Sequence, residues 1–415
     1  MPSCYQDSNN YPMGNFISDF CALIKSGKLA LLLFFATFIM AVAVKSGVYV
    51  FCGYLVYLYL TLPVRLYNDK TGTALLLFSL FYAGILALTG QVLSWFTWLA
   101  ILLAPFIFYI YGKHLFSTLK IKPNKEGTIV LLFALIMLLL PISLYHLVVI
   151  DIRNIGLVNP LRVLDSVNAE QDHSATVFGL IASISMGGLG AFLALPSRIK
   201  NISAWIFIAS FILSLLTTIH FVNRSGLIVI VSSAVIVCLY LFRAEKRKFF
   251  SAVVVIFVTL LIAILFNLVS SDVIEAYSFR NERDAAVHSG SGMAGGRLDT
   301  WIIALKMVFT NPLGWSGPTG DLSYAHNMWL DIARQTGWLP FTLFIWITVR
   351  QIKNTIRLFK IEQSVIPAIL LSIISSILIA CMVEPAMEAF CYIFFLLCFI
   401  WGMQQQYLNS QSYNE

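Results

Sequence analysis

Apolar runs close to the length of a bilayer-crossing helix recur along almost the whole chain, and no other feature constrains its fold as strongly. The hydrocarbon core of a membrane needs roughly 20 apolar residues at helical rise. The 415 residues are 59% hydrophobic and 11% charged, and the surface of a soluble protein this size needs many more charges than that. Membrane β-barrels show shorter segments of alternating polarity, and this pattern is missing. The expected fold is therefore all-α, a polytopic integral membrane protein with about 12 transmembrane helices. The expected spans are 29–44, 46–64, 72–89, 92–111, 127–150, 175–195, 202–221, 225–242, 250–270, 337–350, 364–383 and 388–402. The tenth is short and is expected to continue from a helix that begins near His326.

The positive-inside rule then orients the chain. With a cytoplasmic N-terminus, 18 of the 27 basic residues fall inside and 9 outside, while the 20 acids divide 7 inside and 13 outside. The net charge of +7 is thus an orientation signal and gives no reason to expect nucleic acid as a partner. This topology divides the chain into a cytoplasmic leader (1–28), a membrane bundle (29–270) and a large outer loop between the ninth and tenth spans (271–336). A second bundle segment (337–402) and a cytoplasmic tail (403–415) complete it. Lys25 and Lys28 followed by an apolar run to Ala43 resemble a signal peptide, but the run is long and follows a polar leader, so an uncleaved first span is expected. The seven cysteines avoid the two long outer loops, 151–174 and 271–336, and make no CxxC pair. They offer neither a disulfide framework nor a metal site.

Polar chemistry is concentrated outside. Five of the six histidines (146, 173, 220, 288 and 326) lie in the outer half of this topology. In "SYAHNMWLDIARQTGWLP", residues 323–340, apolar positions at near-helical spacing place a helix over about 326–337. His326 and Asn327 then sit at its N-terminus, where N–H groups point outward and the dipole favours anions. Either residue would serve as a cap. His326 would equally serve as a general base, since the positive end of the dipole disfavours the imidazolium.

The arginines are the second element. Arg224, in "IHFVNRSGLIVIV", lies at a short outer turn between two spans, where it either snorkels to the interface or faces a wet cavity. Arg297 closes "HSGSGMAGGRLDTW", whose glycines 290, 292, 295 and 296 suit either a backbone nest for phosphate oxygens or a flexible lid. No Lys-Ser/Thr follows, so this is not a P-loop. Arg280 and Arg283 share the loop and are weaker candidates for substrate contact, because Glu282 and Asp284 beside them read as a solvated face. In "VEPAMEAF", Glu384 and Glu388 flank the last outer turn; they would hold an arginine, orient a sugar, or end helices in water. No HExxH, DxD or other metal-ligand spacing is present, and no cofactor is expected. Arginines with one histidine form a set that recognises anions, phosphates above all, through bidentate charge-assisted contacts.

These stretches resemble a known family. "HN", nine residues, then Gly337 is similar to the His-[Asn/Ser/Gln]-x9-Gly-x-x-Gly motif of the O-antigen polymerase and ligase superfamily (Wzy and WaaL types). "RLDTW" followed by "NPLGWSG" resembles the region upstream of that motif, and "NRSG" resembles a Ser-Arg-Gly turn on an earlier span. The resemblance covers roughly 220–350; the motif's second glycine is Pro340 here. It implies an inverting, metal-independent glycosyltransferase whose donor is an undecaprenyl diphosphate-linked glycan at the periplasmic face of the inner membrane. By position, His326 would activate the acceptor hydroxyl, while Arg224 and Arg297 would stabilise the departing diphosphate. Asn327, Arg280, Arg283 and Glu384 would contact substrate. Partners would be the lipid-linked donor and acceptor, membrane lipids and a chain-length regulator protein. A polymerase, which uses a second lipid-linked repeat unit as acceptor, is favoured over a ligase, which uses lipid A–core. A flippase for the same glycan is the alternative of a different class. It would spread charges through both leaflets, whereas the middle spans here have almost none.

Overall fold

The computed structural model describes residues 47–62, 69–90, 95–118, 163–165, 172–174, 202–220, 224–243, 297–315, 325–361, 364–384, 386–389 and 391–412, with isolated positions 33, 130, 133, 134, 137, 192, 275 and 278. The expected spans 29–44, 127–150, 175–195 and 250–270 lie wholly or mostly outside the described residues, as do Arg280, Arg283 and glycines 290–296.

The first helices are α1 (Gly47–Thr61), α2 (Lys70–Leu88) and α3 (Trp95–Thr118). Then come α4 (Ile202–His220), α5 (Arg224–Phe242), α6 (Arg297–Thr310), α7 (Met328–Thr336) and α8 (Trp338–Lys360). The chain ends with α9 (Val365–Val383), the single turn α10 (Ala386–Ala389) and α11 (Tyr392–Ser412). By length and composition, Lys70–Leu88, Thr97–Thr118 and Val365–Val383 can cross a membrane, and Ser203–Leu215 and Val231–Phe242 are shorter apolar helices. One departure from an all-α fold lies in the loop 151–174. Strands β1 (Val163–Asp165) and β2 (Asp172–Ser174) pair antiparallel with Leu164 opposite His173. Three-residue strands like these are marginal alone.

Helices α2 and α3 are tied by charge at one end. Asp69 caps α2 by accepting from the Thr71 and Gly72 N–H groups at 2.9 and 3.0 Å. Its carboxylate also accepts from the Tyr109 hydroxyl at 3.1 Å and the Lys113 ammonium at 2.6 Å. Helix α3 runs past the expected boundary at residue 111 to Thr118, and Lys113, a good helix former, pairs with Asp69 from within it. At the same level, α3 and α11 meet backbone to backbone. A Cβ at Gly112 would sit 2.1 Å from the Phe399 carbonyl oxygen, and one at Gly402 would sit 2.0 Å from that of Tyr109. Small residues at a crossing allow this approach in a membrane, where packing rather than the hydrophobic effect drives helix association.

Helices α6 and α7 pack on one another through Ala304, Val308, Ala325 and Ala333, with Trp315 beside them. The helix expected over about 326–337 forms as α7, but the expected continuous run from it into the tenth span does not. The chain breaks at Gly337, with φ 73, between α7 and α8. The break is held by Gly337 N–H donating to Ala333 O at 2.9 Å and Trp338 N–H to Pro312 O at 2.8 Å. Pro340, in the first turn of α8, occupies a position whose N–H has no partner inside the helix, so the ring is accommodated there. Helix α8 runs to Lys360, ten residues beyond the expected end; Arg350, Lys353, Arg357 and Lys360 occupy its second half. The apolar run ends where the charges begin, but the backbone hydrogen bonds do not.

Gly337 is required twice over. Its φ is in the left-handed region, and a Cβ would lie 2.3 Å from Pro312 O and 2.7 Å from Leu313 C. Gly337→Ala is expected to destabilise the protein by about 2 kcal/mol or more, combining strain at positive φ with overpacking against backbone. The check is thermal unfolding in detergent; an unchanged midpoint would mean that the break is not held as described.

Candidate functional site

Four helix ends converge. The N-terminus of α5 carries Ser225, that of α6 carries Arg297, the residue before the cap of α7 is His326, and α9 ends at Glu384. Glu384 is 2% exposed. Its Oε1 accepts from Arg297 Nη2 at 3.4 Å, and Arg297 Nη1 donates to Ser225 Oγ at 2.9 Å. Its Oε2 lies 3.6 Å from His326 Nδ1, an ion-pair distance slightly longer than a hydrogen bond. One carboxylate therefore faces a guanidinium with one oxygen and an imidazole with the other. Burial by itself pushes the Glu384 carboxyl up. The Arg297 charge, with His326 and Ser225, more than offsets that, so the group sits below its ordinary value.

Local sequence explains how the imidazole gets there. Asn327 caps α7, its Oδ1 accepting from the Trp329 and Leu330 N–H groups at 3.2 and 3.3 Å. Its Nδ2 donates to Met382 O at 3.2 Å. That bond splices the start of α7 to the end of α9, two residues before Glu384. His326 does not cap the helix. It precedes the cap with φ 51, the one non-glycine at positive φ among the described residues. Histidine and asparagine enter this region more readily than most side chains. On the far side, Trp301 Nε1 on α6 donates to Ala325 O at 2.7 Å.

The expected site residues divide as follows. His326, Arg297 and Glu384 come together, and Asn327 lies beside them with its amide bonded within the protein. Of the roles open to Glu384, holding an arginine is the one the geometry displays. Arg224 opens α5, next to Ser225, and its side chain lies outside the described residues. Arg280 and Arg283 are outside the described residues. Two residues were not singled out from the sequence. Ser225 was visible only as a neighbour of Arg224. Asp331, fully buried on α7, had a local signal, an acid in the first helical turn four residues after the cap.

The fold and site define a class: a helical membrane protein that gathers a histidine, a buried glutamate, an arginine and a serine at the ends of four helices. A family model described as O-antigen ligase matches residues 209–345. This match supports the O-antigen polymerase and ligase superfamily that the motifs resemble. Within it fall Arg224, Ser225, Arg297, His326, Asn327 and Gly337, whereas Glu384 lies beyond its end. A comparison with curated proteins found no match.

Proposed function

We propose that the protein is a surface-polysaccharide (O-antigen) polymerase. In this reading it is an inverting, metal-independent glycosyltransferase that joins undecaprenyl diphosphate-linked repeat units at the periplasmic face of the inner membrane. The observation that carries the reading is the placement of His326 Nδ1 3.6 Å from Glu384 Oε2, with Arg297 on the other oxygen. With Nδ1 turned to a carboxylate, proton transfer from the acceptor hydroxyl is assigned to Nε2, and the carboxylate stabilises the imidazolium that forms. In the transfer step the acceptor oxygen loses its proton to His326 and attacks the anomeric carbon from the face opposite the leaving group. The bond from that carbon to the diphosphate oxygen breaks, inverting the centre, and the diphosphate departs with the electron pair.

Charge grows on that leaving oxygen, so donors must already be aimed at it. A guanidinium carries five N–H donors, and the bonds to Ser225 and Glu384 use two of those on Arg297. Arg224, one residue before Ser225, is assigned the second diphosphate contact. Metal independence rests on the lack of ligand spacing in the sequence, two arginines taking the role a divalent ion has elsewhere.

A ligase is the second reading, because O-antigen ligase is how the matching family model is described. Both would use the same donor and base and differ in acceptor. The test is purified protein given undecaprenyl diphosphate-linked repeat units, with and without lipid A–core. Lengthening of the lipid-linked glycan without lipid A–core is expected. Product only when lipid A–core is added would replace polymerase with ligase, and no glycosidic product in either arm would remove the transferase reading.

A further inference from the structure

We propose that Asp331 is a positioning residue for His326, its carboxylate clamping both backbone amides that flank the histidine. The inference rests on the reading of His326 as the base. Asp331 Oδ1 accepts from the Ala325 N–H at 2.8 Å, and Oδ2 accepts from the Asn327 N–H at 3.1 Å. His326 is the single residue between those two amides, and it holds φ 51. Asp331 is fully buried, so water cannot stand in for the carboxylate at either amide.

The arrangement extends a familiar capping device. In a capping box, a side chain in the first turn reaches back to the N–H of the cap residue. Here the aspartate lies one residue later than usual and bridges two amides instead of one. The second amide matters because it lies upstream of the histidine. A helix cap alone needs only the bond to Asn327. The bond to Ala325 has no role in starting the helix; it closes the chain around residue 326 and sets the direction in which the imidazole leaves the backbone. Trp301 Nε1 holds the carbonyl of the same Ala325 at 2.7 Å, so α6, which begins at Arg297, and α7 both bond to the residue that precedes the histidine. The clamp thereby links the aim of the base to the helix that carries the arginine. A base displaced by about 1 Å loses on the order of 10²-fold in rate, whereas binding of the donor diphosphate does not depend on it.

The experiment compares wild type, Asp331→Asn, His326→Asn and the double variant in polymerisation by the purified protein, with rates normalised to folded, monodisperse material. Asp331→Asn keeps the size of the side chain and removes one of its two acceptor oxygens. The expected result is a fall in kcat on the order of 10²-fold with KM for the donor little changed. In the His326→Asn background the same substitution is expected to have no further effect on the residual rate. A similar fall in both backgrounds, or a change confined to KM, would overturn the proposal, as would wild-type kcat in Asp331→Asn. If His326→Asn itself retains full activity, the base reading fails instead, and the two failures are distinguishable within one set. Should Asp331→Asn not fold, Asp331→Glu carries the same comparison. It retains both acceptor oxygens but moves them by one methylene, and is expected to lower kcat in the wild-type background alone.

Discussion

His326→Asn is expected to abolish glycan transfer while leaving the fold intact. The substitution is mild for the backbone: asparagine is among the side chains most tolerant of the left-handed region, which residue 326 occupies at φ 51. It is equally mild for the helix, because the cap is Asn327 and remains. What is lost is a ring nitrogen able to take a proton, since an amide cannot do so. General-base catalysis contributes roughly 10²–10⁴-fold, so the deficit should be at least two orders of magnitude at matched protein level. In cells, a polymerase lesion would leave lipid A–core carrying one repeat unit. A ligase lesion would leave it bare, with polymer stranded on undecaprenyl diphosphate. A wild-type ladder of surface polysaccharide from His326→Asn would end the catalytic reading of this residue.

Arg297→Ala is expected to damage both stability and transfer. It leaves the Glu384 carboxylate, 2% exposed, without the guanidinium that faces it. Removing one partner of a buried pair costs about 3–5 kcal/mol; with Arg297 itself 21% exposed, the lower end, about 3 kcal/mol, is expected. Transfer should fall on the order of 10²–10³-fold as well, the range seen when one pre-aligned donor to a developing anion is removed. The two effects are separable. Adding Glu384→Gln removes the stranded charge and is expected to recover much of the thermal stability of Arg297→Ala, but none of its activity. Wild-type unfolding temperature in Arg297→Ala would show that the pair contributes nothing to the fold; wild-type transfer would take the arginine out of the diphosphate site.

The same pair gives acid sensitivity a direction. The Glu384 carboxyl is held below its ordinary value, so the folded state binds a proton there less readily than the unfolded chain does. Its contribution to stability is complete above the unfolded carboxylate's pKa of about 4.3. It is lost as pH falls through the lower folded value.

Which parts of this protein could be read from the chain alone follows the range of the interactions involved. The starts of α4, α5 and α9 fall within a residue of expectation, because an apolar run registers in every window that contains it. A cap at His326 or Asn327 was legible for the same reason, as a polar pair ahead of an apolar helical run is a signal contained within four residues; that Asn327 is the one that caps was left open. The motif that pairs this cap with Gly337 pointed to His326 without any knowledge of its surroundings. The helix end near Gly337 was legible, but the break from the next helix was not, since the glycine is also compatible with a continuous run; what decides is the Pro312 carbonyl lying where a Cβ would go. Nor could the role of Glu384 be read. A glutamate at an outer turn looks the same whether it ends a helix in water or faces an arginine 87 residues earlier in the chain. Only the packing of α5, α6, α7 and α9 brings Ser225, Arg297, His326 and Glu384 together, and a buried carboxylate keeps its charge there because those neighbours replace the water it has lost.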